Sequence, residues 1–307
     1  MKEEAPLLIV ITGPTGVGKT DVAIDVAKRF ETEIISADSR QIYREIPITT
    51  GAPAVAQLNE VPHHLIGTYS LDSYYSASVF EQEALKILEK IFSERRVAVV
   101  CGGSMLYVDA LCNGIDDIPT ISAETRENVQ SIYKYEGLDA LLKILYSLDP
   151  EYYRSLDHNN VNRVIHAVEI CIQSGQTYSS LRKGKKAERP FQILKCMLTA
   201  PREVLFSRIN SRVVKMAEDG MVEEIRKVTH LRHLNSLNTV GVNEMLHYID
   251  QEWTFDFALA RMQKNTRVYA KKQLTWFSKD KTILTFDTSL YDTSKEIIRE
   301  AERILTL

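Results

Sequence analysis

The residues with the clearest chemical potential are eight consecutive positions near the N-terminus that match the P-loop spacing GxxxxGK[ST]: Gly13, Pro14, Thr15, Gly16, Val17, Gly18, Lys19 and Thr20. Glycines let such a loop wrap so that successive backbone N–H groups face one anionic centre, and the following helix adds the positive end of its dipole. The Lys19 ammonium supplies a point charge for a terminal phosphate, and the Thr20 hydroxyl can ligate Mg²⁺. The sequence therefore predicts a site for linked phosphates.

Two further polar side chains follow apolar runs that are typical of strands. Asp38 comes soon after residues 34–36, and Ser104 comes after residues 97–100. At the carboxyl end of a parallel sheet, where phosphates bind, Asp38 can act as a base or hold a magnesium-bound water; a turn or helix-capping aspartate is the alternative. No aspartate stands at positions 101–104, where many P-loop ATPases carry a Walker-B acid, which argues against nucleotide hydrolysis. Ser104 offers a hydroxyl there, although a tight strand-to-helix turn explains the segment equally well.

The hydrophobic periodicity predicts the elements that position these groups. Strands alternate with helices in the first part of the chain, which predicts an α/β fold: a P-loop NTPase-like, mostly parallel sheet flanked by helices. Residues 122–181 are helical in pattern and indicate an all-helical insertion. We expect a discontinuous core of residues 1–119 and 190–307 and an insertion of residues 120–189. The predicted strands are 7–11, 34–36, 97–100, 193–199 and 282–286, and the predicted helices outside the insertion are 20–30, 77–92, 201–227, 257–277 and 294–304.

Composition sets limits on the class of protein. The chain has 307 residues, 44% hydrophobic and 26% charged, which is typical of a soluble globular protein. Its longest apolar runs are far shorter than the roughly 20 residues of a membrane span, and no signal peptide is evident, so we expect a cytoplasmic protein without a membrane partner. The four cysteines form no CxxC pair, and His63-His64 lacks a third ligand at recognisable spacing, so neither pattern indicates zinc.

A basic stretch at residues 182–189 contains five cations and one anion within a chain of net charge −3. Such a stretch could dock a polyanion, but a solvated basic loop is an equally good interpretation of the charge alone. Gln41 is similarly ambiguous, because its amide could read a base edge or simply lie at the surface.

The order of these motifs resembles that of the tRNA dimethylallyltransferases, which prenylate the adenosine immediately 3′ of the anticodon. The resemblance extends over almost the whole chain. The segments that carry it are residues 13–20, 38–43, 62–66, 102–107, 162–170, 212–224 and 266–277.

The resemblance implies that the exocyclic amine of adenine displaces diphosphate from dimethylallyl diphosphate. In the family the P-loop grips a diphosphate rather than ATP, which suits the missing Walker-B acid. Asp38 matches the general base and Arg212 matches an arginine that contacts the diphosphate. Ser104 stands where the family usually has threonine, and its hydroxyl can position Asp38 or the substrate. Mg²⁺ on Thr20 is the implied cofactor.

The resemblance also implies an RNA-binding surface for the tRNA anticodon stem-loop. The target base must be swung out of its stack, and the insertion is expected to grip the anticodon stem. For individual lysines, the alternative to RNA binding is a position on a solvated face. We also expect the protein to be a monomer. The predicted RNA-binding residues are Ser39, Arg40, Gln41, Arg126, Asn162, Arg163, His166, Asn238, Asn243, Arg267, Lys271, Lys272 and Gln273.

Two other functions are compatible with parts of this pattern. A small-molecule P-loop kinase would share the aspartate after the second strand, but it would need an arginine-bearing lid over ATP. A tRNA-binding paralogue with weakened catalysis would account for unusual residues at four positions: His166, Asn238, Val242 and Asn243. The presence of Lys19, Thr20, Asp38 and Arg212 argues against that second alternative.

Overall fold

The structure, a computed structural model, describes residues 5–116, 118–184, 187–290 and 292–305. Within these ranges six strands form one parallel sheet with the order β3-β2-β4-β1-β5-β6. The strands are β1 (Leu7–Thr12), β2 (Ile34–Ser36), β3 (His63–His64), β4 (Val97–Cys101), β5 (Gln192–Thr199) and β6 (Leu284–Asp287). The predicted α/β class with a mostly parallel sheet is confirmed.

Fifteen α-helices connect or follow the strands in the described ranges. They are α1 (Lys19–Arg29), α2 (Pro47–Thr50), α3 (Val55–Glu60), α4 (Ala77–Glu94), α5 (Met105–Asn113), α6 (Ala123–Glu136), α7 (Leu138–Leu148), α8 (Pro150–Ser155), α9 (Val161–Ser174), α10 (Tyr178–Leu181), α11 (Arg202–Glu218), α12 (Met221–Val228), α13 (Val242–Ile249), α14 (Phe255–Phe277) and α15 (Thr293–Leu305). Among the described residues, no helix is both long enough and apolar enough to span a membrane.

The central strand β1 shows why the sheet is covered on both faces. All six of its residues are buried, and successive side chains point to opposite faces of the sheet. Leu8 and Val10 belong to one apolar cluster, whereas Leu7, Ile9 and Ile11 belong to another. A strand that is apolar at every position is typical of a parallel sheet buried between two layers of helices.

The chain divides into two compact units. Unit 1 comprises Met1–Cys112 and Glu188–Leu307, and unit 2 comprises Asn113–Ala187. Unit 1 contains the sheet. The described part of unit 2 is helical and has its own apolar core, as predicted for the insertion, but the unit runs from Asn113 to Ala187 rather than from residue 120 to residue 189. Lys185 and Lys186 of the basic stretch lie outside the described residues.

The structure differs from the predicted elements at several places, and α2, α3, α5 and α13 are not among the predicted helices. The single helix predicted over 201–227 is wrong, because Gly220 adopts a left-handed conformation (φ +101°) that ends α11 and begins α12. The last strand begins at Leu284 because the backbone N–H of Thr282 donates to the Asp280 carboxylate in a turn. The two-residue strand β3 was not predicted, and it pairs with Ile34 and Ile35 of β2.

Candidate active site

The P-loop connects β1 to α1, as the sequence predicts. Gly18 adopts a left-handed conformation (φ +99°) directly before the first helical residue, Lys19. The Lys19 Nζ atom donates hydrogen bonds to two loop carbonyls, Gly13 O at 3.1 Å and Pro14 O at 2.9 Å. The ammonium is therefore held over the loop, where it can meet a phosphate seated on the loop amides.

Parallel pairing places the loops after three strands at one edge of the sheet. β4 lies between β2 and β1, and Cys101 at the end of β4 is in register with both Ser36 and Ile11. A cavity of about 770 Å³ opens there. The predicted site residues that line it are Thr15, Gly16, Gly18, Lys19, Thr20, Asp38, Ser39, Arg40, Gln41, Arg212, Asn238, Asn243 and Gln273. The structure thus brings the phosphate loop, the candidate base and the candidate diphosphate arginine together.

Asp38 stabilises the turn that follows β2. Its Oδ1 atom accepts the backbone N–H groups of Arg40 (2.9 Å) and Gln41 (3.2 Å). The turn-aspartate interpretation is therefore part of what this residue does. Within the described part of the chain both bonds fall on Oδ1, so Oδ2 is the oxygen suited to accept a proton from a substrate.

Ser104 acts on the backbone beside Asp38. Its Oγ atom accepts the N–H of Ser39 at 2.8 Å, and its own N–H donates to the carbonyl of Ala37 at 3.1 Å. The serine is only 6% exposed and does not line the cavity. These contacts match one of the two roles that the resemblance implies for Ser104, the positioning of the segment that carries Asp38, and a direct catalytic role stays a prediction.

Arg212 reaches the cavity from α11. Its Nη2 atom donates to the Gly51 carbonyl at 2.7 Å, and the Gln41 amide donates to the same oxygen at 3.1 Å. Gly51 ends α2 in a left-handed conformation (φ +59°), and a Cβ atom there would lie 1.9 Å from Arg212 Nη2. Glycine is required because the guanidinium approaches the backbone so closely.

A buried carboxylate that sequence reasoning missed holds α2 in place. Glu224 accepts the N–H of Ile48 (2.8 Å), the N–H of Thr49 (2.7 Å) and the Thr49 hydroxyl (2.5 Å). These bonds satisfy the free amides at the N-terminus of α2, whose other end presents the carbonyl for Arg212. No local sequence signal connects Glu224 with a helix 170 or more positions earlier in the chain.

Arg208 is another cavity residue that was not assigned from the sequence. It lies one turn before Arg212 on α11, and its Nη1 atom donates to the Val17 carbonyl of the P-loop at 3.3 Å. The four-residue spacing of two arginines on a predicted helix was the available signal.

The cavity has an electrostatic character suited to an anion. Burial lowers the pKa of Lys19 to about 8, while the Cys101 and Asp38 side chains act in the opposite direction. Burial also lowers the pKa of Arg212, and Asp38 again opposes the shift. Burial raises the pKa of Cys101 to about 12, so its thiol is neutral at physiological pH. Lys19 and Arg212 therefore bring positive charge to the cavity, and Asp38 is a carboxylate that interacts with both of them.

Several predicted RNA-binding residues in unit 1 make internal contacts, including Gln41, whose amide donates to the Gly51 carbonyl, and Arg267, whose guanidinium donates to Asn210 Oδ1. Gln273 corrects the prediction most clearly: it is 2% exposed, and both its amide oxygen and its amide nitrogen are hydrogen-bonded inside the protein. Its side chain lies at the wall of the cavity and is used in contacts inside the protein. The Arg40 guanidinium donates to the carbonyls of Asn235, Ser236 and Asn238 at 2.9–3.2 Å, so it holds the loop before α13.

The remaining candidates in unit 1 are accessible to a large ligand. Asn243 Nδ2 donates to Asn238 Oδ1 at 3.1 Å, and both side chains are exposed at the cavity. On α14, Arg267 and Lys271 lie over the ring of Phe206, at 5.7 and 5.6 Å from its centroid. Lys271 and its neighbour Lys272 are exposed. An RNA-binding role for these residues stays a prediction.

The candidates in unit 2 lie on two helices that pack together. Arg126 on α6 and His166 on α9 each lie 4.0 Å from the buried Glu169 carboxylate. Partial burial and the nearby Arg126 lower the pKa of His166. Asn162 and Arg163 are exposed on the first turn of α9. The four predicted residues are therefore accessible, and their contact with RNA stays a prediction.

Comparisons with known proteins show which family this chain resembles. A family model described as IPP transferase matches residues 41–280. The chain is 53% identical to tRNA dimethylallyltransferase 1 of Bacteroides thetaiotaomicron over 92% of its own length and 91% of that protein. It is 49% identical to tRNA dimethylallyltransferase 1 of Porphyromonas gingivalis, over 93% of this chain and 95% of that one.

Solved structures show the same likeness. The tRNA isopentenylpyrophosphate transferase of Bacillus halodurans is 32% identical, with a TM-score of 0.71 over 98% of this chain and 96% of that chain. A eukaryotic dimethylallyltransferase studied while acting on tRNA is 26% identical, with a TM-score of 0.84 over 98% of this chain and 80% of that chain. Since the family model covers most of the chain and relatives near 50% identity span nearly all of it, this protein belongs to the IPP transferase family.

Proposed function

We propose that this protein transfers a dimethylallyl group from dimethylallyl diphosphate to N6 of the tRNA adenosine on the 3′ side of the anticodon, and releases diphosphate. The observation that carries the proposal is the single cavity that gathers the P-loop, Asp38 and Arg212. Family membership and the names of the close relatives support the same reaction.

The cavity suits the departure of a diphosphate. When the bond between the allylic carbon and its oxygen breaks, the electron pair leaves with the diphosphate and negative charge accumulates there. Lys19, Arg212 and the amides of the P-loop would stabilise that charge more strongly in the transition state than in the bound donor. Arg208, which also lines the cavity, adds positive potential.

Asp38 is the proposed acceptor of the proton that the adenine amine loses. As the adenine N6 atom bonds to the allylic carbon, it must lose a proton, because the product amine is neutral. The Asp38 carboxylate accepts that proton through Oδ2 while Oδ1 keeps the turn in place. One carbon–oxygen bond breaks, one carbon–nitrogen bond forms, and one proton passes from N6 to Asp38, so the reaction is balanced.

The residues around the P-loop fit a magnesium ion. Thr20 and Asp38 bring a hydroxyl and a carboxylate to the same cavity, and hard oxygen donors of this kind suit Mg²⁺ that is completed by phosphate oxygens and water. Bound Mg²⁺ would neutralise part of the charge on the leaving diphosphate. Thr20 would hold it, as the P-loop pattern predicts.

The tRNA anticodon stem-loop is the proposed acceptor. The exposed cations of α14 would contact phosphates, and the cavity would receive an adenine swung out of the stack at a cost of a few kcal/mol. We further propose that the enzyme acts as a cytoplasmic monomer, since one chain supplies the P-loop, Asp38 and Arg212.

Mass spectrometry of tRNA nucleosides tests the proposed function. Unmodified tRNA is incubated with the enzyme, dimethylallyl diphosphate and Mg²⁺, then digested. We expect a dimethylallyl-adenosine that is absent when adenosine 37 of the tRNA is replaced by guanosine. A parallel incubation with labelled ATP tests kinase activity, and transfer of labelled phosphate without prenylation would contradict the proposal.

A further inference from the structure

Gln273 makes a buried bridge between two loops of the active site. It lies on α14 and is 2% exposed. Its Oε1 atom accepts the N–H of Thr15 in the P-loop at 2.9 Å, and its Nε2 atom donates to the Gly103 carbonyl at 2.9 Å. Thr15 and Gly103 follow neighbouring strands, so one amide side chain sets the spacing between two strand-end loops. We call these two hydrogen bonds the Gln273 bridge.

Further hydrogen bonds connect the Gln273 bridge with the segment that carries the candidate base, Asp38. Gly103 precedes Ser104, whose hydroxyl accepts the N–H of Ser39, and Ser39 directly follows Asp38. The Ser104 N–H also donates to the Ala37 carbonyl. Hydrogen bonds and short stretches of backbone thus connect the P-loop with the segment that carries Asp38.

The close fit of the bridge explains why glycine stands at position 103. A Cβ atom on Gly103 would lie 2.2 Å from Gln273 Nε2 and 3.3 Å from the Gly13 carbonyl. Because Gln273 is buried, its amide has little room to move away. The contact is therefore specific to an amide side chain of this length opposite a glycine.

We propose that Gln273 is a positioning residue that fixes the P-loop relative to the Asp38 segment, and so holds the allylic carbon and the base in their reactive arrangement. This inference rests on the proposed function. The physical reason is that transfer requires reacting atoms about 3–3.5 Å apart, and a misplacement of about 1 Å can cost on the order of 10²-fold in rate. Binding of the two substrates is proposed to depend on other groups: Lys19 and Arg212 for the diphosphate, and the exposed cations of α14 for the tRNA.

Replacement by methionine tests the bridge directly. Gln273→Met keeps the length of the side chain but removes both hydrogen bonds. We expect kcat to fall about ten- to hundredfold, with the Kd for tRNA and the KM for the prenyl donor changed less than about threefold. Gln263→Met is the matched control, because Gln263 lies on the same helix and its amide donates to Asn210 O, away from the cavity.

Replacement by glutamate gives a readout that a general loss of structure would not produce. A neutral carboxyl group can accept from Thr15 and donate to Gly103, whereas an ionised one cannot donate. Burial raises the pKa of a carboxyl group, so the neutral form becomes accessible as the pH falls. We expect the ratio of kcat for Gln273→Glu to kcat for the wild type to rise at least about fivefold between about pH 9 and pH 6.

Several outcomes decide the proposal. Wild-type kcat in Gln273→Met, or a pH-independent ratio for Gln273→Glu, would overturn it; thermal unfolding first establishes that each variant is folded at the assay temperature. The chemical shift of the Thr15 amide proton provides an independent test, and an unchanged shift in Gln273→Met would also overturn the proposal. An inactive wild type would contradict the proposed function instead, which keeps the two failures distinguishable.

Discussion

At the scale of single residues, Asp38 combines two tasks that a substitution must separate. Its Oδ1 atom holds the turn through the N–H groups of Arg40 and Gln41, and its other oxygen is the proposed proton acceptor. Alanine would remove both tasks together. Asparagine can keep a carbonyl oxygen at the Oδ1 position while it loses the basicity of the carboxylate.

We predict that Asp38→Asn lowers kcat by about 10²–10⁴-fold, because general-base catalysis contributes on that order. The Kd for tRNA should change less than about twofold. Single-turnover transfer and filter binding measure the two quantities. Asp72→Asn, at an exposed position, is the control. Wild-type turnover in Asp38→Asn would remove Asp38 from the role of base.

A second prediction concerns pH. Burial lowers the pKa of Lys19 to about 8, so its ammonium is charged below that pH and becomes neutral above it. Because the charged form binds the diphosphate, we predict that kcat/KM for dimethylallyl diphosphate declines as the pH rises through about 8. Lys19→Met should have a much lower value and lack this decline. An identical decline in Lys19→Met would assign the titration to another group.

At the scale of elements, the sequence predicts what local periodicity determines. The strand–loop–helix around Lys19 and the long helix α14 were predicted within a few residues, because each has a continuous pattern. The two-residue β3 and the four-residue α2 are too short to show a period. Asp38 could be predicted as a site residue because it follows a strand.

The parts of the site that could not be predicted depend on tertiary packing. The resemblance implies an RNA contact for Gln273 together with Lys271 and Lys272, but Gln273 lies on the buried face of α14. Glu224 received no role, although its carboxylate holds α2. In each case the partner lies far away in sequence, and only the folded structure identifies it.

Glu224 provides the prediction at this scale. Hydrogen bonds to a charged acceptor contribute about 1.5–3 kcal/mol each, so we predict that Glu224→Ala lowers the free energy of unfolding by about 3 kcal/mol or more. Glu223→Ala removes the adjacent exposed carboxylate, which pairs with Arg226 at the surface, and should change stability by less than about 0.5 kcal/mol. Urea denaturation measures both. Equal effects would show that capping of α2 contributes little.

At the scale of the whole molecule, the net charge of −3 conceals a local concentration of cations. Arg202, Arg267 and Lys271 all lie within 6 Å of the centre of the Phe206 ring. An aromatic ring that gathers three cations provides a surface suited to a phosphate backbone.

We predict that Lys271→Ala weakens tRNA binding and reduces the slope of log K against log salt by up to about one unit. Lys90→Ala, which removes an exposed cation from α4, should leave both quantities unchanged. Binding titrations at several salt concentrations measure the slope. A slope that Lys271→Ala does not alter would place this lysine outside the interface.

The most direct test of the whole account is a crystal structure with the anticodon stem-loop and a thiolo analogue of dimethylallyl diphosphate that does not react. The account predicts the diphosphate on the amides of the P-loop, Lys19 and Arg212 within hydrogen-bonding distance of it, and the adenine N6 atom between Asp38 and the allylic carbon. A diphosphate bound elsewhere, with the P-loop unoccupied or holding ATP, would contradict it.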